Sequence, residues 1–370
     1  MVKFGFVVES AGGNSNYYSG NVKPFTDLSF GLKNIGFDSI IFLHRDENHL
    51  MEKIKKVTRD SVPIVLYDQG DLFEIITKES PDFVIVQDTV PMMRIITRLK
   101  APRVKKVVYV LYLSLLDSNT EQWRERSIVY KFASLLPFRI LTNEYRSLIS
   151  GFDFIIPISQ TCRFLLNMVY DLKSDGVVYP PVGVDIRDLM QPLSNGRSKK
   201  EGIFAFVPDI NDYLLRDPRV ELENIRSQLQ CPVRVLTGER TTTKLFSDLG
   251  YETYSKIPVE ELVRIIQDSE FSYVTTRYEL FGYVAVESLL LGRPAILDTF
   301  HPSLELLPMG TNAIKISSPK RSIADHILEM RKSNINIGAA RDAVLKYYSA
   351  EESARALLES VNISINLRDR

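Results

Sequence analysis

Short apolar runs alternate with helical patterns almost from end to end, and that alternation confines the chain to parallel sheets joined by crossover helices. In the first half the runs expected as strands are Lys3–Val8, Ser39–Leu43, Val62–Tyr67, Phe83–Gln87, Lys106–Leu111, Phe154–Ile158 and Val177–Tyr179. Helical patterns lie between them, among them Val22–Ile35, Gln69–Thr77 and a longer region, Asn119–Leu148, interrupted near Pro137. In the second half the expected strands are Ile203–Val207, Val233–Leu236, Thr253–Lys256, Phe271–Thr275, Ala295–Leu297 and Ala313–Ile316. Helices are expected at Glu221–Leu229, Thr241–Leu249, Val259–Asp268, Phe281–Leu291 and Ile323–Arg331. Between the halves, Pro180-Pro181-Val182-Gly183-Val184-Asp185 leads into a polar stretch from Ser194 to Glu201. Consecutive prolines beside a glycine end the first sheet, which places a hinge near 181–200. The final helical segment, Ala339–Val361, is expected to pack back across it.

A chain of 370 residues is longer than one ordinary domain. The expected division is 1–185, 186–345 and a helical tail, 346–370. Two doubly wound domains facing each other hold ligands in the cleft between their strand C-termini. The composition, 45% hydrophobic and 25% charged, is that of a soluble globular protein. Lys plus Arg equals Asp plus Glu, 46 each, so the global balance gives no reason to invoke nucleic acid. The distribution is uneven: Pro91–Ser150 holds eleven Lys/Arg against four Asp/Glu. Cys162 and Cys231 stand far apart without ligand spacing and fit a reducing compartment. Met1 leads directly into a strand, and no apolar run reaches the roughly 18–20 residues that span a bilayer. The expected location is cytoplasmic.

The chemistry concentrates at Arg277-Tyr278-Glu279-Leu280-Phe281-Gly282-Tyr283-Val284-Ala285-Val286-Glu287-Ser288-Leu289-Leu290-Leu291-Gly292-Arg293-Pro294. A strand runs into a turn, and a helix follows that is apolar on nearly every side yet carries one carboxylate, Glu287. Such a helix is buried, and a buried Glu needs hydrogen-bond donors. The amides of Phe281 to Val284 are expected at the positive end of the helix, where a diphosphate would be received. Glu287 lies five residues past Gly282, roughly 7–8 Å along the helix. There a ribose would satisfy it, while a buried Arg or a neighbouring loop would do so equally well. A second anion-ready turn, Glu9-Ser10-Ala11-Gly12-Gly13-Asn14-Ser15-Asn16, follows the first strand. It matches neither the dinucleotide nor the Walker fingerprint, and a tight loop alone would also account for it.

These residues resemble a known family. Glu279 and Glu287, seven residues between them, with Phe281-Gly282 after the first and Glu-Ser-Leu-Leu-Leu-Gly-Arg-Pro-Ala from the second, resemble the signature of retaining GT-B glycosyltransferases of family 4. Phe154-Ile155-Ile156-Pro157-Ile158-Ser159-Gln160 resembles that family's strand before the hinge, and Val178-Tyr179-Pro180-Pro181-Val182-Gly183-Val184-Asp185 its crossing between domains. The resemblance covers essentially the whole chain and is clearer in the second half. It implies two Rossmann-like domains, an acceptor held by the first and a nucleoside-diphosphate sugar held by the second. It places Glu279 on the donor sugar, the amides of Phe281, Gly282, Tyr283 and Val284 on sugar and diphosphate, Glu287 on the ribose, and Gly12 and Gly13 beside the diphosphate. It further implies transfer with retention, no tightly bound cofactor and no metal at the diphosphate, where positive charge and helix ends stabilise the departing nucleotide.

The chain departs from the family at two places. Where members carry an Arg and a Lys after the first strand of the second domain, Phe206-Val207-Pro208-Asp209-Ile210-Asn211-Asp212 stands, with no cation before Arg216. Arg240, Lys244 and Arg277 are the candidate substitutes. Where members often place a His near the reacting sugar, after Val107–Leu111, this chain has Tyr112. His301, in the loop after Ala295–Asp298, is a further ligand candidate. The basic, aromatic stretch from Trp123 to Arg146 suits either a helix packed into the first domain or contact with anionic lipid at the inner membrane face. The expected activity is transfer of a hexose-type sugar to a glycan, glycolipid or protein-linked hydroxyl. Two alternatives remain: a sugar-nucleotide-binding regulatory protein without catalysis, and a nucleotide-sugar epimerase of the same fold.

Overall fold

Each half of the chain builds one six-stranded, all-parallel sheet. The computed structural model describes residues 1–8, 22–68, 70–111, 138–190, 201–209, 216–238, 240–275, 280–298, 305–308, 310–318 and 320–363, with 138–142 described by backbone alone. Two compact units result, Met1–Pro181 together with Ala350–Arg370, and Val182–Ser349.

The first unit runs β1 (Lys3–Val8), α1 (Lys23–Asn34), β2 (Asp38–His44), α2 (Met51–Thr58), β3 (Ile64–Tyr67), α3 (Leu72–Glu79), β4 (Phe83–Gln87), α4 (Val90–Thr97), β5 (Lys105–Val110), α5 (Phe138–Ile149), β6 (Phe154–Pro157) and α6 (Gln160–Tyr170). Its strand order is β3-β2-β1-β4-β5-β6, with Phe4 opposite Ser39 on one side and Phe83 on the other. The strands read as near-continuous apolar runs because helices cover both faces of a parallel sheet. Phe25 of α1 meets Phe6 and Tyr109 edge-on at 6.0 Å, and this aromatic contact seats the helix on the central strands. The strand order reverses direction between β1 and β4, the place where doubly wound sheets open toward ligands at their C-terminal edge.

The second unit runs β7 (Ile203–Val207), α7 (Pro218–Leu229), β8 (Val233–Thr237), α8 (Arg240–Asp248), β9 (Glu252–Ser255), α9 (Val259–Asp268), β10 (Phe271–Val274), α10 (Tyr283–Leu290), β11 (Ala295–Leu297), β12 (Ile314–Ile316), α11 (Ile323–Lys332) and α12 (Ile337–Tyr347). Its order is β12-β11-β10-β7-β8-β9. Two buried clusters pack on it, one with Ala205, Val235, Tyr273 and Ile296 and another with Val274, Ala285, Ala295 and Leu297. A last helix, α13 (Ala350–Ser360), belongs to the first unit and packs against α1. No described helix is long and apolar enough to cross a membrane.

Two expectations are corrected. Val177–Tyr179 is not a strand. The segment touches the edge of β6 through separate bonds, Asp175 N to Ile155 O at 3.0 Å and Val178 N to Pro157 O at 3.1 Å. Pro180 and Pro181 then lack the amides that would continue a ladder. The single helix expected over Ala339–Val361 is two, α12 and α13. They break at Tyr348-Ser349, where the Tyr348 carbonyl accepts from Val182 N at 2.8 Å. Of the long region Asn119–Leu148, the described part is α5, which starts directly after Pro137; residues 112–137 lie outside the described residues. Helices α2, α4 and α6 were not singled out by pattern. They are short, 8 to 11 residues, and α4 starts with a proline in its first turn, where a missing amide costs nothing.

Gly31 lets α1 and α13 touch. A Cβ on Gly31 would run into the Ala350 carbonyl. Gly→Ala inside a helix ordinarily stabilises by up to ~1 kcal/mol. Here Gly31→Ala is expected to destabilise instead, by about 1–3 kcal/mol as an overpacked contact. A thermal melt of the variant checks this, and a raised melting temperature would refute the packing account.

Candidate functional site

Gly282 decides where the helix after β10 begins. Its backbone sits at φ 89°, ψ 56°, a left-handed conformation that glycine adopts without steric cost. Helical geometry therefore starts at Tyr283 rather than at Phe281, and α10 is shorter than the pattern implied. No side chain caps this end. The first bond into the helix is Val286 N to Gly282 O at 3.3 Å, so the amides of Tyr283, Val284 and Ala285 have no acceptor within the helix. Phe281 is buried just outside, edge-on to Tyr283 at 5.0 Å and to Tyr348 at 5.5 Å. That aromatic contact holds the turn.

Glu287 is only 8% exposed on a helix whose Ala285, Val286, Leu289 and Leu290 are buried. The helix is thus mostly apolar, with one acid inside it and a buried Ser288 that donates to the Val284 carbonyl at 2.7 Å. At the far end Gly292 and Pro294 terminate it, and Arg293 donates to the Gln267 carbonyl at 2.8 Å, at the C-terminal end of α9. Burial lowers the Arg293 pKa to about 10, and the negative end of the α9 dipole supplies its counter-charge.

In a parallel sheet, β8, β7 and β10 are neighbours and end at one edge. The first residues of α8 and α10 therefore flank the exit of β7 at Pro208 and Asp209. Arg240 opens α8 and is exposed. Lys244, one turn on, is paired with Asp248 at 2.6 Å, both well exposed. Arg277, Glu279 and His301 lie outside the described residues, as do Gly12, Gly13 and Tyr112 in the first unit.

Arg216 has another task. Its guanidinium pairs with Glu221 at 2.7 Å, each side chain 8% exposed, and caps the carbonyls of Ser318 and Arg321. The second oxygen of Glu221 accepts from Ile323 N at 2.8 Å, at the start of α11. The first cation after β7 is therefore built into the junction of α7 and α11.

Two buried carboxylates that pattern reading missed organise the strand ends. In the first unit, Asp88 is fully buried after β4; it accepts from Leu111 N and from the Tyr145 hydroxyl, both at 2.9 Å. It thereby fixes the chain as it leaves β5, one residue before Tyr112. In the second, Asp298 follows β11 and accepts from the Tyr273 hydroxyl at 3.0 Å, with the Ser317 hydroxyl at 3.4 Å. A lone acid at the end of an apolar strand was the available signal in both cases. Among the described residues no group of His, Cys, Asp and Glu is arranged to hold a metal ion.

No family model and no curated protein matches the sequence. Solved structures match the fold along its whole length. HepE of Anabaena, determined with UDP and glucose, is 14% identical with a TM-score of 0.66 over 98% of this chain and 100% of that one. A glycosyltransferase of Rickettsia africae is 15% identical with a TM-score of 0.65 over 100% and 99%. The chain has the GT-B fold. A putative UDP-N-acetylglucosamine 2-epimerase of Listeria monocytogenes fits less well, 10% identical with a TM-score of 0.58 over 96% and 94%. At such identities the likeness is one of fold. It sets α10 beside the second GT-B sheet and assigns this chain no substrate.

Asp298 also makes stability depend on pH. Burial pushes its pKa up from 3.8 to about 6, against the opposing Tyr273 hydrogen bond. Between those values the folded protein keeps a proton that the unfolded chain releases, so the contribution of Asp298 falls as pH rises through that window. His326 has the opposite sign. Burial first, then Arg321 and Lys315, hold its pKa below 6.5, so its contribution rises as pH climbs toward 6.5. Asp298→Asn is expected to raise stability above pH 6, by at most about 3 kcal/mol, and to lose that advantage near pH 4. Thermal melts from pH 4 to 8 read the difference, and a gap constant with pH would reject the assignment.

Proposed function

We propose that the protein is a glycosyltransferase that moves a sugar from a nucleoside-diphosphate sugar to an acceptor hydroxyl, with retention of anomeric configuration and no metal at the diphosphate. The observation that carries this reading is α10: a helix opening at an uncapped glycine, with a buried carboxylate one and a half turns inside, on a GT-B fold. Helix-mouth amides receive the diphosphate, and the dipole favours its charge. Glu287 accepts from the ribose hydroxyls, Glu279 from the donor sugar, and the Gly12-Gly13 turn lies beside the diphosphate. Tyr112 faces the reacting sugar, with Asp88 holding its neighbour Leu111. Arg240 and Arg277 supply the positive charge that Arg216 does not. In the transfer, the bond from the anomeric carbon to the phosphate oxygen breaks and the bond to the acceptor oxygen forms. The acceptor proton leaves with the departing phosphate, whose charge is stabilised by preorganised dipoles. The first unit holds the acceptor and the second the donor.

The commitment of Arg216 to Glu221 favours one competing reading, a protein that binds sugar nucleotides without turnover. The epimerase alternative is separated by its chemistry, since it interconverts free donor sugars with no acceptor present. A thermal-shift screen against nucleotides and nucleotide sugars is the deciding first step. A ligand at 100 times its dissociation constant stabilises by roughly 2.7 kcal/mol. Glu287→Gln is expected to lower nucleoside-diphosphate affinity about ten- to hundredfold, the worth of hydrogen bonds to a charged group. Unchanged affinity in that variant would remove the ribose role. Proton NMR of the product glycoside, read at the anomeric position, tests retention.

A further inference from the structure

Helix α6 has two apolar faces and only one of them is covered. Cys162, Leu166 and Tyr170 point into the first unit and are buried. On the outer side Phe164 is 61% exposed and Met168, one turn on, is 66% exposed, with Leu165 and Val169 half-buried beside them. Among the described residues only Met1 is a more exposed large apolar side chain. A surface helix needs one apolar face, and a second one calls for a partner.

The surrounding charge says which kind. Arg163 on the helix and Lys173 just past its end are exposed, and among the described residues neither forms an ion pair. Two acids on this side are paired, Asp171 with Arg146 at 3.0 Å and Glu144 with Arg94. Helices α4, α5 and α6 contact one another in series. The segment that carries them, 90–173, has 13 Lys/Arg against 6 Asp/Glu, whereas the whole chain has 46 of each. A second copy of the chain would bring the same positive segment against this one. An anionic lipid surface meets both features at once: it takes apolar side chains into the headgroup boundary and attracts cations to its phosphates.

We propose that the outer face of α6 docks on an anionic bilayer, with Phe164 and Met168 entering the headgroup–acyl boundary and Arg163 and Lys173 at the lipid phosphates. This surface is independent of the nucleotide site on α10 and of the function proposed for it.

Vesicle co-sedimentation of the full chain tests it, with phosphatidylcholine vesicles compared with vesicles containing 30% phosphatidylglycerol as an illustrative (~30%) composition. The expected result is binding at least about tenfold tighter to the anionic vesicles, weakened by added salt. Phe164→Ser with Met168→Ser, both at exposed positions, is expected to abolish it while leaving the melting temperature unchanged. Arg163→Glu is expected to weaken it about tenfold. No binding by the wild type, equal binding to both vesicle types, or undiminished binding by the double variant each overturns the proposal. So does a wild-type dimer in size-exclusion chromatography that the double variant dissolves, since a second copy would then cover the face.

Discussion

The left-handed backbone at Gly282 is the constraint on which the second unit's chemistry depends. A residue with a Cβ would resist that conformation, and the helix would then be free to start earlier, as the apolar pattern alone suggests. With glycine there, β10 ends, the chain turns, and α10 begins at Tyr283 with its first amides uncommitted inside the helix. The same burial that seats the helix leaves Glu287 only 8% exposed, where a carboxylate needs hydrogen-bond donors around it. One glycine thus sets an electropositive helix mouth and a carboxylate at fixed spacing.

The two sheets solve a common problem with the same device. At the C-terminal edge of a parallel sheet, chains must leave in different directions without orphaning backbone groups. Asp88 receives an amide from the exit of β5 and a hydroxyl from α5. Asp298 receives a hydroxyl from within β10 and lies against Ser317 at the exit of β12. Each carboxylate ties its own strand end to a neighbouring strand. Rigid strand ends matter wherever a site forms at a sheet edge, because misplacing a group there by an ångström costs far more function than stability.

The sheets were legible because buried parallel strands leave long apolar runs, and most strand positions fall within a residue or two of their expected bounds. The short helices α2, α4 and α6 were not, since two or three turns give too few repeats for periodicity to speak. Val177–Tyr179 misled for a related reason: its residues suit a strand, while the prolines after it forbid the ladder. Gly282 and Glu287 stood out because each breaks a local rule, a glycine at a helix start and an acid in an apolar helix. Asp88 and Asp298 break a similar rule, but a single acid at a strand end also reads as an ordinary loop residue. Only the fold brings Leu111, Tyr145, Tyr273 and Ser317 to them.

The diversion of Arg216 bears on how a GT-B scaffold can vary its chemistry. A cation following β7 would be well placed to neutralise a phosphate, yet here the guanidinium is buried against Glu221, and one of its terminal nitrogens donates to the carbonyls of Ser318 and Arg321. Releasing it toward a ligand would strand Glu221 as a buried, uncompensated charge, a change that costs several kcal/mol in comparable pairs, on the order of 3–5. Ligand binding does not readily supply that sum, so Arg216 is effectively fixed. Positive charge at the C-terminal edge of this sheet therefore has to come from elsewhere, such as the exposed Arg240 at the start of α8.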